Sequence, residues 1–216
     1  ADTQIKPVHA WYTDTLWTMA IAHSQDPKNP WIASGGTNQI VTLWEPDGTP
    51  RLRLAGHTGW ISALAIAPDR TWLISASHDG TLRQWNPDTG DCLRILTPPE
   101  SRLLETVAID ARGHWIASAG EGQIWLWNAH TGQLSATFHH SDRAITHVHF
   151  SPEARHLIAT SLNHSIRWWN LETLECDREI FTQVPAIATQ TLPKDHLIAA
   201  PAWGGHLEFF ASLHGD

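Results

Sequence analysis

Fifteen histidines and 22 carboxylates in 216 residues are the first candidates for chemistry. Imidazole nitrogens bind zinc, and histidines two apart on a strand present their rings to one face. His147 and His149 have that spacing, with His139, His140 and Asp142 in the stretch just before them. All five belong to one short segment, without Cys ligands or an HExxH spacing, so no metal is assigned and the rings are read as polar neighbours of tryptophan. The chain holds no nucleophile elbow, P-loop or dinucleotide-binding glycine motif. Gly35-Gly36 and Gly204-Gly205 fall at turns between strands, not at a strand-to-helix junction, so they do not cradle phosphate. Asp14, Glu100 and Asp142 remain as carboxylates that could meet at a rim, where solvated acids are ordinary. No catalytic residue and no cofactor is assigned.

Whatever these residues do, a repeat positions them. Trp44, Trp85, Trp127, Trp169 and Phe210 are spaced by 41, 42, 42 and 41 residues. A period in the low forties is the signature of a β-propeller, one four-stranded blade per repeat. Each marker ends an apolar segment: 40–44, 81–85, 124–127, 165–169 and 206–210. Val41, Leu82, Ile124, Ile166 and Leu207 stand three residues earlier. An odd offset puts them on the face opposite the marker, so this strand is expected to be buried on both sides. Upstream of it, segments 31–36, 72–77, 115–120, 156–161 and 196–201 start large and end small, suiting close approach near an axis. First strands are expected at 16–22, 60–67, 103–109, 144–150 and 185–192, and fourth strands at 51–55, 92–96, 134–138 and 176–180. Residues 1–216 are read as one domain. Only a few residues follow Phe210, too few for a fourth strand, so residues 4–10 are expected to supply the outer strand of the last blade.

Composition narrows the function classes. The formal net charge is −8 and no basic stripe is visible, which argues against nucleic acid and for a partner carrying basic groups. No apolar run exceeds strand length, so neither a signal peptide nor a membrane partner is expected. Cys92 and Cys176 each lie seven residues after a marker, in units that are not neighbours. Such sites are too far apart for a disulfide, and reduced thiols suit a cytoplasmic setting. The chain begins with Ala, so it is expected to be a processed, truncated or excised piece.

In the second unit, Gly56-His57 is followed by Ser75, Asp79 and Trp85. With the period, these residues resemble the WD-repeat β-propeller family. The resemblance implies a hydrogen-bonded tetrad of His57, Ser75, Asp79 and Trp85. Other units depart from it. Unit one has Ser34, Asn38 and Trp44; unit three has Ser118 and Trp127 with a shorter turn. Unit four has Ala159, Asn163 and Trp169, and unit five has Ala200, Gly204 and Phe210. The acid that usually follows the Trp is Glu45, Asn86, Asn128, Asn170 and Ala211 here. Five blades are countable, either a closed five-bladed ring or part of a seven-bladed one.

The resemblance also implies where partners dock, namely on the face bearing the fourth-to-first connections and the second-to-third turns. Those segments offer Trp60, Arg102 and Arg143, and His78, Leu162 and Trp203. Trp and Arg dominate interface energetics, so Trp60 and Trp203 are the preferred anchors. The function expected is a non-catalytic protein-interaction scaffold. A regulatory propeller of a larger signalling protein is the alternative, and a propeller enzyme a remote third.

Overall fold

Four consecutive sheets repeat one pattern in the computed structural model, which describes residues 30–100 and 103–182 in full. The backbone of four further strands is described at 18–23, 190–191, 197–201 and 207–211. The first sheet comprises β1 (Thr18–His23), β2 (Ile32–Gly36), β3 (Val41–Trp44) and β4 (Pro50–Leu54). The second comprises β5 (Ile61–Ile66), β6 (Leu73–Ser77), β7 (Leu82–Trp85) and β8 (Cys92–Leu96). The third holds β9 (Thr106–Ile109), β10 (Trp115–Gly120), β11 (Gln123–Asn128) and β12 (Leu134–His139). The fourth holds β13 (Ile145–Phe150), β14 (His156–Ser161), β15 (Ser165–Asn170) and β16 (Cys176–Phe181). β17 (Gln190–Thr191), β18 (Leu197–Pro201) and β19 (Leu207–Ala211) form a fifth. Strand order within each sheet is sequential and all pairings are antiparallel. This is the all-β architecture of four-stranded propeller blades, and every regular element among the described residues is a strand.

The third strand of each of the first four blades is buried on both faces, as its odd-offset pattern requires. Trp85 packs backward into a core with Val41, Leu43 and Leu54 of the first sheet. Leu82, on the other face, packs forward into a core with Leu104, Ile116 and Trp127. Trp127 and Ile124 repeat the arrangement one blade on, and Trp169 joins Ile124, Leu126 and Phe138. Trp85, Trp127 and Trp169 therefore reach back, and Val41, Leu82 and Ile124 reach forward. Full burial of such an aliphatic side chain contributes about 1.5–3 kcal/mol. A register shift falls immediately before each of the four tryptophan markers, a bulge whose extra residue, Arg51, Leu93, Ser135 or Asp177, lies on the facing fourth strand.

First strands neighbour one another from blade to blade, β1 beside β5, β5 beside β9 and β9 beside β13. Small residues in the second strands permit this. A Cβ on Gly35 would stand 2.6 Å from Cγ2 of Ile61 in the next blade. Outer strands are wet: Leu93 and Ile95 on β8 are half exposed, and Cys92 and Cys176 occupy matching outer positions as exposed free thiols. Residues 4–10 lie outside the described residues.

The second strand supplies the acceptor for the indole. In all five sheets the same register position faces the residue two before the marker: Ser34, Ser75, Ser118, Ala159 and Ala200. Trp44, Trp85 and Trp127 donate Nε1–H to Ser34, Ser75 and Ser118 at 2.7, 2.9 and 3.0 Å. In the second blade the chain of bonds continues. Ser75 Oγ lies 2.7 Å from His57 Nε2, and His57 Nδ1 lies 2.7 Å from Asp79 Oδ2. Asp79, which ionises at about 2, must accept from Nδ1–H, so the hydroxyl of Ser75 donates to Nε2. Burial would raise the Asp79 pKa, but bonds from the Thr81 hydroxyl, the Thr58 amide and His57 outweigh it. Burial holds His57 below its usual 6.5, partly offset by Asp79.

The fourth blade builds a different network. Ala159 leaves the buried Trp169 Nε1–H without an acceptor among the described residues. His140, fully buried, bonds through Nε2 to Ser165 Oγ at 3.0 Å, and Ser165 donates to Asn163 Oδ1 at 2.6 Å. Arg167 donates from Nη1 to the His140 carbonyl and from Nε to Glu179 at 2.8 Å. Burial, then the Arg167 charge, hold His140 at about 4.

The absent acids also have a local explanation. Asn86, Asn128 and Asn170 each accept two backbone amides of the following turn at 2.8–3.2 Å. The amide side chain closes the turn as a carboxylate would, without its charge.

Two predictions follow from these networks. Ser75→Ala strands the Trp85 N–H and the His57 ring together and should destabilise by about 1–3 kcal/mol, whereas Ala159→Ser offers Trp169 an acceptor and should stabilise by about 0.5–1.5 kcal/mol; urea unfolding followed by circular dichroism reads both. The second concerns pH. His57 and His140 bind protons less readily folded than unfolded, so their contribution is complete above pH 6.5 and is lost as pH falls below it, that of His140 toward about 4. The Asp79 contribution survives until pH falls below 3.8 and is lost toward about 2. Urea midpoints should therefore be flat above neutrality and fall through this acidic window, and His140→Gln should flatten its upper part.

Candidate interaction face

The connections between blades meet the second-to-third turns at one end of the stack. Trp60, just before β5, is half exposed, and its ring lies 5.8 Å from that of His78, tilted by 32°. The His78 amide donates to the Trp60 carbonyl at 2.9 Å, which ties the turn to the connection. His78 Nε2 stands 3.4 Å from Glu105 Oε2.

Glu105 belongs to the next connection, which is anchored from beneath. The Leu104 side chain is fully buried, its amide donates to Ser77 O and its carbonyl accepts the Ser62 hydroxyl at 2.6 Å. The Glu105 amide donates to Ala119 O at 2.8 Å. Leu103 is held exposed at the surface, with its carbonyl packed against Gly120 where any side chain would collide.

One blade further, the Gly122 carbonyl accepts the amides of His140 and Ser141 at 2.9 and 3.2 Å. Gly122 has φ of +84°, and a Cβ there would overlap the Ser141 carbonyl, so only glycine allows the loop to lie so close. Ser141 Oγ bonds to Ser161 Oγ at 2.7 Å and to the Arg143 carbonyl at 2.8 Å. The Leu162 amide donates to Ala144 O at 3.0 Å, leaving the Leu162 side chain exposed. Trp60, His78, Glu105, Leu103, Glu121, Arg143 and Leu162 thus belong to one crescent of hydrogen-bonded loops across three blades.

Of the residues expected on this face, Trp60, His78, Arg143 and Leu162 lie on that crescent. Arg102 and Trp203 lie outside the described residues, as does Asp14. Sequence reasoning missed Leu103 and Glu105 because residues 103–109 read as a strand. The strand begins at Thr106 instead, because the amides before it are drawn to Ser77 O and Ala119 O of two different blades.

The histidine-rich segment is taken apart by the fold. His139 and Asp142 are exposed, 3.5 Å apart, while His140 is committed to Ser165. His147 and His149 lie with rings 5.8 Å apart on the face of β13 opposite Val148 and Phe150. Burial holds both below their usual value, His149 at about 3. Among the described residues no three His, Cys, Asp or Glu side chains group to hold a metal. No helix there is long and apolar enough to cross a membrane.

The family profile described as "WD domain, G-beta repeat" matches residues 48–86, 90–128 and 132–170, more than half of the chain. Each match opens in the turn or outer strand closing one blade and ends beside the marker of the next, so the sequence repeat straddles two sheets. Periodic tryptophan protein 2 of Arabidopsis thaliana is 24% identical over 95% of this chain and 24% of its own length. Small ribosomal subunit protein RACK1y of Oryza sativa subsp. japonica is 27% identical over 53% of this chain and 34% of its own. Target of rapamycin complex subunit wat1 of Schizosaccharomyces pombe is 26% identical over 72% of this chain and 51% of its own. The chain thus spans between a quarter and a half of the length of these relatives. The tryptophan period, the stacked four-stranded sheets and the profile matches agree, and the chain belongs to the WD-repeat family of β-propellers.

Proposed function

We propose that this chain is a non-catalytic protein-interaction scaffold, a rigid platform on which other proteins assemble, acting in the cytoplasm without a cofactor. The observation that carries this reading is the crescent from Trp60 to Leu162. It exposes three large apolar side chains, Trp60, Leu103 and Leu162, on loops pinned to the blades by backbone hydrogen bonds. A surface already ordered before binding loses little conformational entropy on association. Two of the relatives above are named for assemblies, a small ribosomal subunit and a target of rapamycin complex, which supports the same reading. Arg143 sits among these residues as a further contact, with Arg102 and Trp203 proposed to extend the face.

Truncating a buried interface anchor typically costs more than about 1 kcal/mol and up to several. Trp60→Ala combined with Leu162→Ala should therefore abolish recovery of the partners that the unmodified chain captures from its native source, with circular dichroism and unfolding midpoint unchanged. Leu93→Ala with Ile95→Ala, on an outer strand, should leave capture intact. Equal capture by the first pair and the unmodified chain refutes the assignment.

A further inference from the structure

The crescent has a charge pattern as well as an apolar one, and it narrows the class of partner. This step rests on the interaction reading above. Among the described residues of the connections and turns at this end, the exposed or half-exposed carboxylates are Glu100, Glu105, Glu121 and Asp142, against the guanidinium of Arg143. Asp79 lies in the same turns but is buried and committed to His57. The acids interleave with the apolar groups. Glu105 stands between Trp60–His78 and the Leu103 loop, Glu121 beside Gly122, and Asp142 directly before Arg143 on the connection that leads to Leu162. Asp142 is almost fully solvated and the Glu105 side chain is about a third exposed.

We infer that this face takes an extended peptide segment of which every second residue meets the face, those residues alternating between apolar side chains and lysine or arginine. An extended strand places successive side chains on opposite sides, so alternate residues meet one surface at a regular spacing. Apolar residues cover Trp60, Leu103 and Leu162 and displace water from them. Cations flanking them meet Glu105, Glu121 and Asp142 at the wet rim, where charge governs partner choice and encounter rate more than total affinity. Nucleic acid and anionic lipid are repelled by the same carboxylates.

The test uses two fluorescein-labelled synthetic peptides, one repeating leucine-serine-lysine-serine and its twin with glutamate for each lysine, titrated with the whole chain by fluorescence anisotropy. The lysine peptide is expected to bind at least about tenfold more tightly than its twin. Raising ionic strength from about 0.05 M to about 0.5 M should erase most of that preference. The triple variant Glu105→Gln, Glu121→Gln, Asp142→Asn should lose about three- to tenfold of the affinity, since rim charge pairs are individually weak. Trp60→Ala should weaken both peptides, and circular dichroism confirms that each variant folds. Equal binding of the two peptides, with loss on Trp60→Ala, overturns the charge inference and leaves the interaction face standing. Binding of neither peptide, or a triple variant of unchanged affinity, also overturns it.

Discussion

A sheet that is apolar on both faces has no stable existence by itself in water, and everything else in this molecule follows from that constraint. The third strand of each of the first four blades carries an indole on one side and a branched or aliphatic side chain three residues earlier on the other. Neither face can be buried within its own blade. Each blade is completed only by its neighbours, so the cores lie between sheets. Trp85 closes the first interface, Trp127 the second and Trp169 the third.

Burying an indole creates an obligation, because its N–H must find an acceptor. Three blades meet it with a serine on the adjacent strand, and the second extends it to His57 and Asp79. That extension reaches the end of the blade where His57 leads into the connection and Asp79 shapes the turn, with the Thr58 and Thr81 amides both bonded to the carboxylate. The polar network under the surface therefore holds the loops that present Trp60 and His78. In the fourth blade the serine is missing, and the end of the blade is held instead by His140, Ser165 and Arg167. Two chemistries serve one purpose, which is to fix a connection onto a turn.

Much of the fold was legible in the chain, because strand periodicity and burial are local consequences of alternating side chains. Segments 92–96, 115–120 and 156–161 coincide with strands to the residue. The start of β9 was not legible, since Leu103 to Glu105 look like strand, while the Leu104 and Glu105 amides are drawn to the carbonyls of Ser77 and Ala119, 27 and 14 residues away. The His140 network was hidden for a related reason. His140 precedes its Ser165 partner by 25 residues, where His57 precedes Thr81 by 24, and the slip breaks the motif while the geometry recovers it.

The resemblance of the second unit to the WD-repeat family implied its tetrad, while the sequence by itself determined the period, the four-stranded unit and the double burial of the third strand. These depend on which residue type recurs at which spacing, a property of the chain alone. Tertiary structure decided which exposed residues share a surface. Trp60, Leu103, Glu105, Arg143 and Leu162 are spread over about a hundred residues of sequence, and while the family resemblance put Trp60, Arg143 and Leu162 on one face, nothing in the sequence added Leu103 and Glu105 to them. They become neighbours because blade stacking carries each connection over the next turn, where backbone amides and carbonyls must pair with whatever partner the packing brings within reach.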